Sequence, residues 1–160
     1  MKKALIFGIS SLMMIFLFTS CETTQTTPNV ASTGDIAVDA INKKVAGFSI
    51  DGFHGGSSNM NQNENLENMK NIVSIVKPLI AQIPDGYVMQ ITGHCADYDS
   101  AAMKKSVSTA RAKKVYDELK GAGAAESKMT YKGVGIDEPL AGYDGKDPKQ
   151  RRVSFKAVKK

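Results

Sequence analysis

His94, Cys95, Asp97 and Asp99 fall within ten residues, Ile91 to Ser100, that read ITGHCADYDS. An imidazole, a thiol and two carboxylates so close together admit three chemistries. They can ligate a metal, pair a nucleophile with its base, or grip a charged ligand. Zinc sites usually show paired Cys or His at short spacing, as in C-x-x-C or H-E-x-x-H, and neither pattern occurs. Adjacent residues of a strand point to opposite faces, so His94 does not serve Cys95 as a base while the strand continues through them. The sequence therefore predicts no metal, no cofactor and no catalytic residue. Cys95 reads as a small, half-buried side chain. The gripping loop is left.

An arginine in the next element supplies a counterpart. Val107, Val115 and Leu119 lie on one line at i+4 steps, and Arg111 occupies the missing step. Its guanidinium projects from the margin of a helix face that should meet a sheet. Arginine does not deprotonate, and burying it unpaired is costly. It needs an acid, a carbonyl or a bound anion, unless it snorkels to water or joins a structural ion pair. Asp97 and Asp99 end the preceding strand, so chain proximity makes them candidate neighbours. An arginine beside an aspartate suits a ligand carrying both a carboxylate and an amine. The arginine takes the first in a forked pair and the aspartate takes the second.

These residues need elements to position them. Residues 45–53, VAGFSIDGF, read as a first strand with imperfect alternation, and a Gly/Ser/Asn loop follows. Leu66, Met69, Ile72, Val73, Val76, Leu79, Ile80 and Ile83 then keep helical spacing, with Asn63 or Asn65 as a cap. Pro78 removes one helical hydrogen bond and predicts a kink or a new turn. YVMQITG is a second strand, Ser100 to Leu119 a second helix, KMTYKGVG a third strand and RRVSFKAV a fourth. The order β-α-β-α-β-β predicts an α+β domain with two helices packed on one face of a small mixed sheet.

The chain of 160 residues, formally +5, suits about one folded domain. That domain is expected over residues 36–160. Residues 1–20 predict a signal peptide: Lys2 and Lys3, an apolar run from Ala4 to Phe18, then small residues before Cys21. A run of fifteen residues is short of the roughly 20 that span a bilayer. Residues 21–35 are Thr-rich and read as a tether. Nothing marks a nucleic-acid binder: no groove-reading motif, no tryptophan, and no basic stripe interleaved with aromatics.

Four motifs in order carry a resemblance. Gly93-His94, then Ser108 with Arg111-Ala112, then Gly133, Gly135 and Pro139, then Arg151-Arg152-Val153 are similar to the OmpA-like peptidoglycan-binding domain, over about residues 45–158. Ser20-Cys21 resembles the lipobox of bacterial lipoproteins. Together they look like a peptidoglycan-associated lipoprotein. The resemblance implies Cys21 acylated and inserted in a lipid bilayer, and an outer-membrane location facing the periplasm. It implies a non-enzymatic protein that binds the wall stem peptide noncovalently through Arg111, with Gly93, His94 and an aspartate of the same motif. That aspartate is displaced. Its position holds Ala96, and Asp97 comes one residue late; Cys95 stands for the family threonine, Gln150 for the asparagine before Arg-Arg-Val, and Lys104 for a helix asparagine. One lost hydrogen bond to a charged group costs about 1.5–3 kcal/mol, or about 10- to 100-fold in affinity. The alternative is the same fold with weakened or lost wall binding, acting as an adaptor for envelope proteins.

Overall fold

The computed structural model describes residues 32–60, 63–97 and 100–160. The signal peptide, Cys21, most of the tether and Asp99 lie outside the described residues. Within them the chain forms seven regular elements. These are α1 (Thr33–Val45), β1 (Ser49–Ile50), α2 (Asn63–Ala81), β2 (Tyr87–Gly93), α3 (Ala101–Gly121), β3 (Met129–Gly133) and β4 (Val153–Lys159).

Helix α1 has no counterpart among the sequence expectations, and the observed α+β domain has three helices rather than two. Its cause is local. The Ser32 hydroxyl accepts from the Asp35 N–H at 3.2 Å, and the Asp35 carboxylate accepts from the Ser32 N–H at 3.1 Å. This reciprocal box satisfies two donors that a helix start leaves open. Val38, Ile41 and Val45 then form a buried stripe at i, i+3 and i+7. The helix starts at Thr33, inside the stretch read as a tether. It also claims Val45, the first apolar residue of the expected strand. Only Ser49 and Ile50 of that strand pair, while Phe53 makes an isolated bridge to Met60.

The other elements follow the expected pattern closely. Helix α2 buries Met69, Ile72, Val73, Val76, Leu79 and Ile80. It runs through Pro78 to Ala81, so the proline falls inside the last turn and does not start a new one. Ser100 caps α3, its hydroxyl accepting from the Met103 N–H.

The sheet order is β1-β4-β2-β3, with β2 and β3 parallel and the other pairs antiparallel. Met89 lies opposite Ala157, Ile91 opposite Phe155, and Gly93 opposite Val153. These residues share one sheet face by the period-two rule. Apart from Gly93 they join the buried stripes of all three helices in one core. Gln90, Thr92, Ser154 and Lys156 lie on the opposite face.

Because β1 is two residues long, it leaves most of the β4 edge open. Helix α1 closes it. The Asn42 side chain accepts from the Ala157 N–H at 2.7 Å and donates to the Ala157 carbonyl at 3.0 Å, standing in for a paired strand. Asn42→Ala is expected to leave both groups part-buried and unpaired, at a cost of about 1–3 kcal/mol. Urea titration should show a lower midpoint with an unchanged slope.

Candidate ligand-binding site

The carboxyl end of β2 meets the helix that follows it. Gly93 and Gly133 lie side by side in the parallel pair β2–β3, and the α3 backbone crosses directly over both. A Cβ on Gly93 would stand 1.9 Å from the Ser108 carbonyl oxygen. On Gly133 it would stand 2.3 Å from the Thr109 nitrogen. Ser108 is fully buried at the crossing. Its hydroxyl accepts from the Gly135 N–H at 3.0 Å and donates to the Lys105 carbonyl at 2.9 Å. Gly93, Ser108, Gly133 and Gly135 therefore fix the height of α3 above the sheet. Gly93 acts here by packing.

His94 follows with its backbone locked from two sides. Its N–H donates to the Arg152 carbonyl at 2.8 Å, and its own carbonyl accepts from Arg111 Nη1 at 2.9 Å. The ring is 2% exposed and its Nε2 lies 2.9 Å from Ser154 Oγ. Burial, with Arg152 nearby, pushes its pKa from 6.5 down to about 4; the Glu138 backbone opposes this in part and Lys132 adds to it. The ring is thus neutral at pH 7 and serves the fold.

A titration follows from that shift. Between about pH 4 and 6.5 the unfolded chain holds a proton on His94 that the folded chain refuses, so stability rises with pH across this window. The contribution is present above pH 6.5 and is lost as the pH falls toward 4, by at most about 3 kcal/mol. Urea unfolding at stepped pH should show that slope, and His94→Gln should flatten it.

Arg111 is 1% exposed and makes no contact with a carboxylate among the described residues. Nε donates to the Ser57 carbonyl at 2.9 Å, Nη2 to the His54 carbonyl at 2.7 Å, and Nη1 to the His94 carbonyl at 2.9 Å and the Cys95 sulfur at 3.3 Å. The guanidinium carbon also lies 5.5 Å from the centre of the Phe53 ring, close enough for a cation–π contact. Burial lowers its pKa, with Cys95 opposing and the nearby Arg151 reinforcing the shift. Arg111 therefore clamps the 54–57 loop to the end of β2 through neutral acceptors.

The expected meeting of Asp97 with Arg111 does not occur. Asp97 pairs with Lys104 at 2.5 Å, and Lys104 holds its carboxyl below the usual carboxylate range. The reason is helical position. Lys104 stands in the first turn of α3, beside the strand end, whereas Arg111 lies two turns further along. Ala96, at the position of the missing acid, is 5% exposed. So the structure joins Gly93, His94, Cys95 and Arg111 and leaves Asp97 apart.

Two contributors escaped the sequence reading. His54 and Ser57 act through backbone carbonyls, which carry no side-chain signature. Gln150 is 2% exposed and holds the 140–144 loop. Its amide oxygen accepts from the Leu140 N–H at 2.8 Å, and its nitrogen donates to the carbonyls of Leu140, Tyr143 and Asp144 at 3.2–3.3 Å. Arg152 donates to the same oxygen at 3.2 Å and to the Glu138 carbonyl at 3.0 Å. Arg151, between them, is half-buried, and its Nε is buried without a hydrogen-bond partner among the described residues. A groove of about 510 Å³ lies elsewhere, lined by Lys70, Val73, Ser74 and Lys77 of α2 and by Glu118 and Gly121 of α3. Among the described residues no three His, Cys, Asp or Glu side chains come together as a metal-binding group.

Comparison with known proteins covers most of this architecture. The model of the OmpA family matches residues 52–153. Among solved structures, the chain is similar to the OmpA-like domain of FopA1 from Francisella tularensis subsp. tularensis SCHU S4, at 20% identity and a TM-score of 0.55 over 69% of each chain. It is similar to the C-terminal domain of MotB from Helicobacter pylori, at 17% identity and a TM-score of 0.56, over 71% of this chain and 85% of that one. It is also similar to the peptidoglycan-associated lipoprotein from Burkholderia pseudomallei, at 17% identity and a TM-score of 0.56, over 76% of this chain and 99% of that one. At these identities the likeness is one of fold. No curated protein sequence matches the chain.

Proposed function

Because this chain belongs to the OmpA family, we propose that it is an envelope protein that binds peptidoglycan noncovalently, without enzymatic activity. In this reading Cys21 carries the acyl chains, and residues following it tether the domain to the periplasmic side of an outer membrane. Stable anchoring would come from several chains on one cysteine, since a single chain gives only marginal binding. The Burkholderia pseudomallei lipoprotein, described as peptidoglycan-associated, lends support through its shared fold.

The observation that carries the reading is Arg111. A guanidinium held beneath a Gly/Ser loop at a strand end has the forked donors that suit a ligand carboxylate once that loop opens. Binding would exchange the His54 and Ser57 carbonyls for the two oxygens of that carboxylate, in the forked geometry that arginine favours. Asp97 is not assigned a contact, because Lys104 already neutralises it.

Co-sedimentation of the full chain in detergent with purified wall sacculi tests this. The chain should pellet with the sacculi and stay in solution without them. Asp97→Ala should pellet within about twofold of wild type, because a half-exposed ion pair contributes little. A chain that remains in the supernatant overturns the wall reading. One observation favours the second reading, an adaptor of the same fold: the donors of Arg111 are already directed to protein acceptors. That reading would stand if sacculi fail to retain the chain.

A further inference from the structure

The two edges of the sheet are finished differently. On one side β1 is two residues long, and Asn42 bonds the β4 backbone beyond it. On the other side β3, Met129–Gly133, is the outermost strand and contains no proline. The Val134 N–H donates to the Gly93 carbonyl at 3.0 Å, so it faces β2. By alternation, the N–H and C=O groups of Tyr131 and Gly133 face away from β2. Among the described residues no group bonds those two N–H groups from the outer side. Such a row of unpaired donors and acceptors is a template for another strand. A groove of about 530 Å³ flanks this edge on the helix side of the sheet. Ala102, Ser106, Thr109 and Ala110 of α3 line it together with the exposed Tyr131, whose ring centre lies 5.1 Å from that of Tyr116. Its charged lining is Lys105 and Lys113, with no acid. Lys113 shares its charge with Asp117 at 2.7 Å, whereas Lys105 has no ion pair among the described residues. Helix α3 carries six cationic side chains against two acidic ones.

We propose that the outer edge of β3 and the groove beside it take an extended acidic segment of a partner protein, added to the sheet as a fifth strand antiparallel to β3. Backbone pairing holds such a segment, and the groove reads its alternate side chains. In the antiparallel arrangement, the residue opposite Tyr131 turns its own N–H toward β3 and its side chain toward the groove. Carboxylates at every second position then meet Lys105 and Lys113. A second copy of this chain would bring the same lysines and a β3 strand, MTYKG, without an acid, so charge selects a different partner. The surface shares no residue with the contacts of Arg111. It therefore goes beyond wall binding and stands whether or not sacculi retain the chain.

The test titrates the full chain in detergent with short peptides of alternating threonine and a charged residue, blocked at both ends. The glutamate hexapeptide, acetyl-Thr-Glu-Thr-Glu-Thr-Glu-amide, should bind with a dissociation constant below about 1 mM at low salt. Its lysine counterpart should bind at least about tenfold more weakly. Methylating the glutamate nitrogens removes the N–H groups that face β3 and should weaken binding by about tenfold or more. Methylating the threonine nitrogens, which face away, should change it by less than about threefold. Lys105→Glu, an exposed substitution, should weaken the glutamate peptide by about fivefold. Hydrogen exchange reads the edge directly: the Tyr131 and Gly133 amides should slow by about tenfold or more when the glutamate peptide is bound. Absence of that slowing at 1 mM peptide, on the order of the weakest binding expected, overturns the inference. So does equal affinity for the lysine peptide, or equal loss from the two methylated peptides. Slowing of the same two amides with rising protein concentration and no peptide also overturns it, and assigns the edge to a second copy. Sacculus retention is read separately, so wall binding and this edge can fail independently.

Discussion

Gly93→Ala is expected to cost a large share of the stability of the domain. The three atoms nearest the added methyl all belong to the backbone of α3: the Ser108 oxygen at 1.9 Å, the Ser108 carbon at 2.8 Å and the Ala112 nitrogen at 3.1 Å. No side-chain rotation relieves such a clash. Either α3 lifts from the sheet, carrying buried Ala112, Val115 and Leu119 with it, or the end of β2 unpairs from Gly133 and Val153. Overpacking typically costs about 1–3 kcal/mol when side chains can adapt. Here only backbone can move, so the cost should reach about 3 kcal/mol or more, against a total of about 5–15 kcal/mol for a domain. Gly133→Ala meets the Thr109 nitrogen at 2.3 Å, but its other close neighbours are the Ser108 and Thr109 hydroxyls, which can rotate. Its effect should be smaller. Gly55→Ala, with nothing within 4 Å, is the control and should stay within about 0.5 kcal/mol. The idea fails if Gly93→Ala melts in urea together with that control.

What was legible in the sequence was what periodicity writes. The stripe from Met69 to Ile80 predicted α2 and its buried face, and the line Val107–Arg111–Val115–Leu119 predicted a helix against a sheet. Alternation at Val153, Phe155 and Ala157 predicted the inner face of β4, and all three are buried. Helix α1 was not legible, because its stripe has only three buried apolar residues and follows a Thr-rich stretch. Its start is written in a box of Ser32 and Asp35, two polar residues that read equally as linker. Val45 then lent itself to the next strand, since a single apolar residue carries no period. The short β1 is the structural consequence, and Asn42 is its repair.

The site was legible to the level of residue types. Arg111 had to find acceptors, and it did. The sequence allowed an acid, a carbonyl or an anion, and only the acids, Asp97 and Asp99, could be named, because acids are the acceptors that side chains display. The protein used carbonyls, which every residue owns and no motif records. Asp97 was assigned by chain proximity and by its place one residue after the position of the family aspartate. Lys104 intercepts it because the first turn of a helix lies nearest the strand that precedes it, and a lysine there outcompetes an arginine two turns on. His94 illustrates the opposite case: its place in the motif suggested a ligand contact, yet its ring lies buried against Ser154 and Arg152.

Arg111→Leu is expected to cost about 3–5 kcal/mol and to release the 54–57 loop. The loss is not that of an ion pair, since no carboxylate among the described residues faces the guanidinium. It is the orphaning of carbonyls at His54, Ser57 and His94 that the side chain now satisfies. Leaving such groups buried and unpaired costs about 1–3 kcal/mol each, less what water recovers at the part-buried loop. The Phe53 ring also loses the cation beside it. Arg111→Lys should recover only a fraction, because one ammonium cannot reach acceptors that lie in three directions around a planar fork. The discriminating measurement is hydrogen exchange. The His54 N–H, which donates to the Asn59 carbonyl at 2.8 Å, reports on loop closure and should exchange faster in both variants. Amides of β2 and β4, paired independently of Arg111, should change only as far as global stability does. If His54 exchanges no faster than those strands, Arg111 does not hold the loop. The guanidinium would then be free for a ligand without the exchange of acceptors described above. Wall retention should follow the same order in any variant still folded, with wild type above Arg111→Lys and Arg111→Lys above Arg111→Leu.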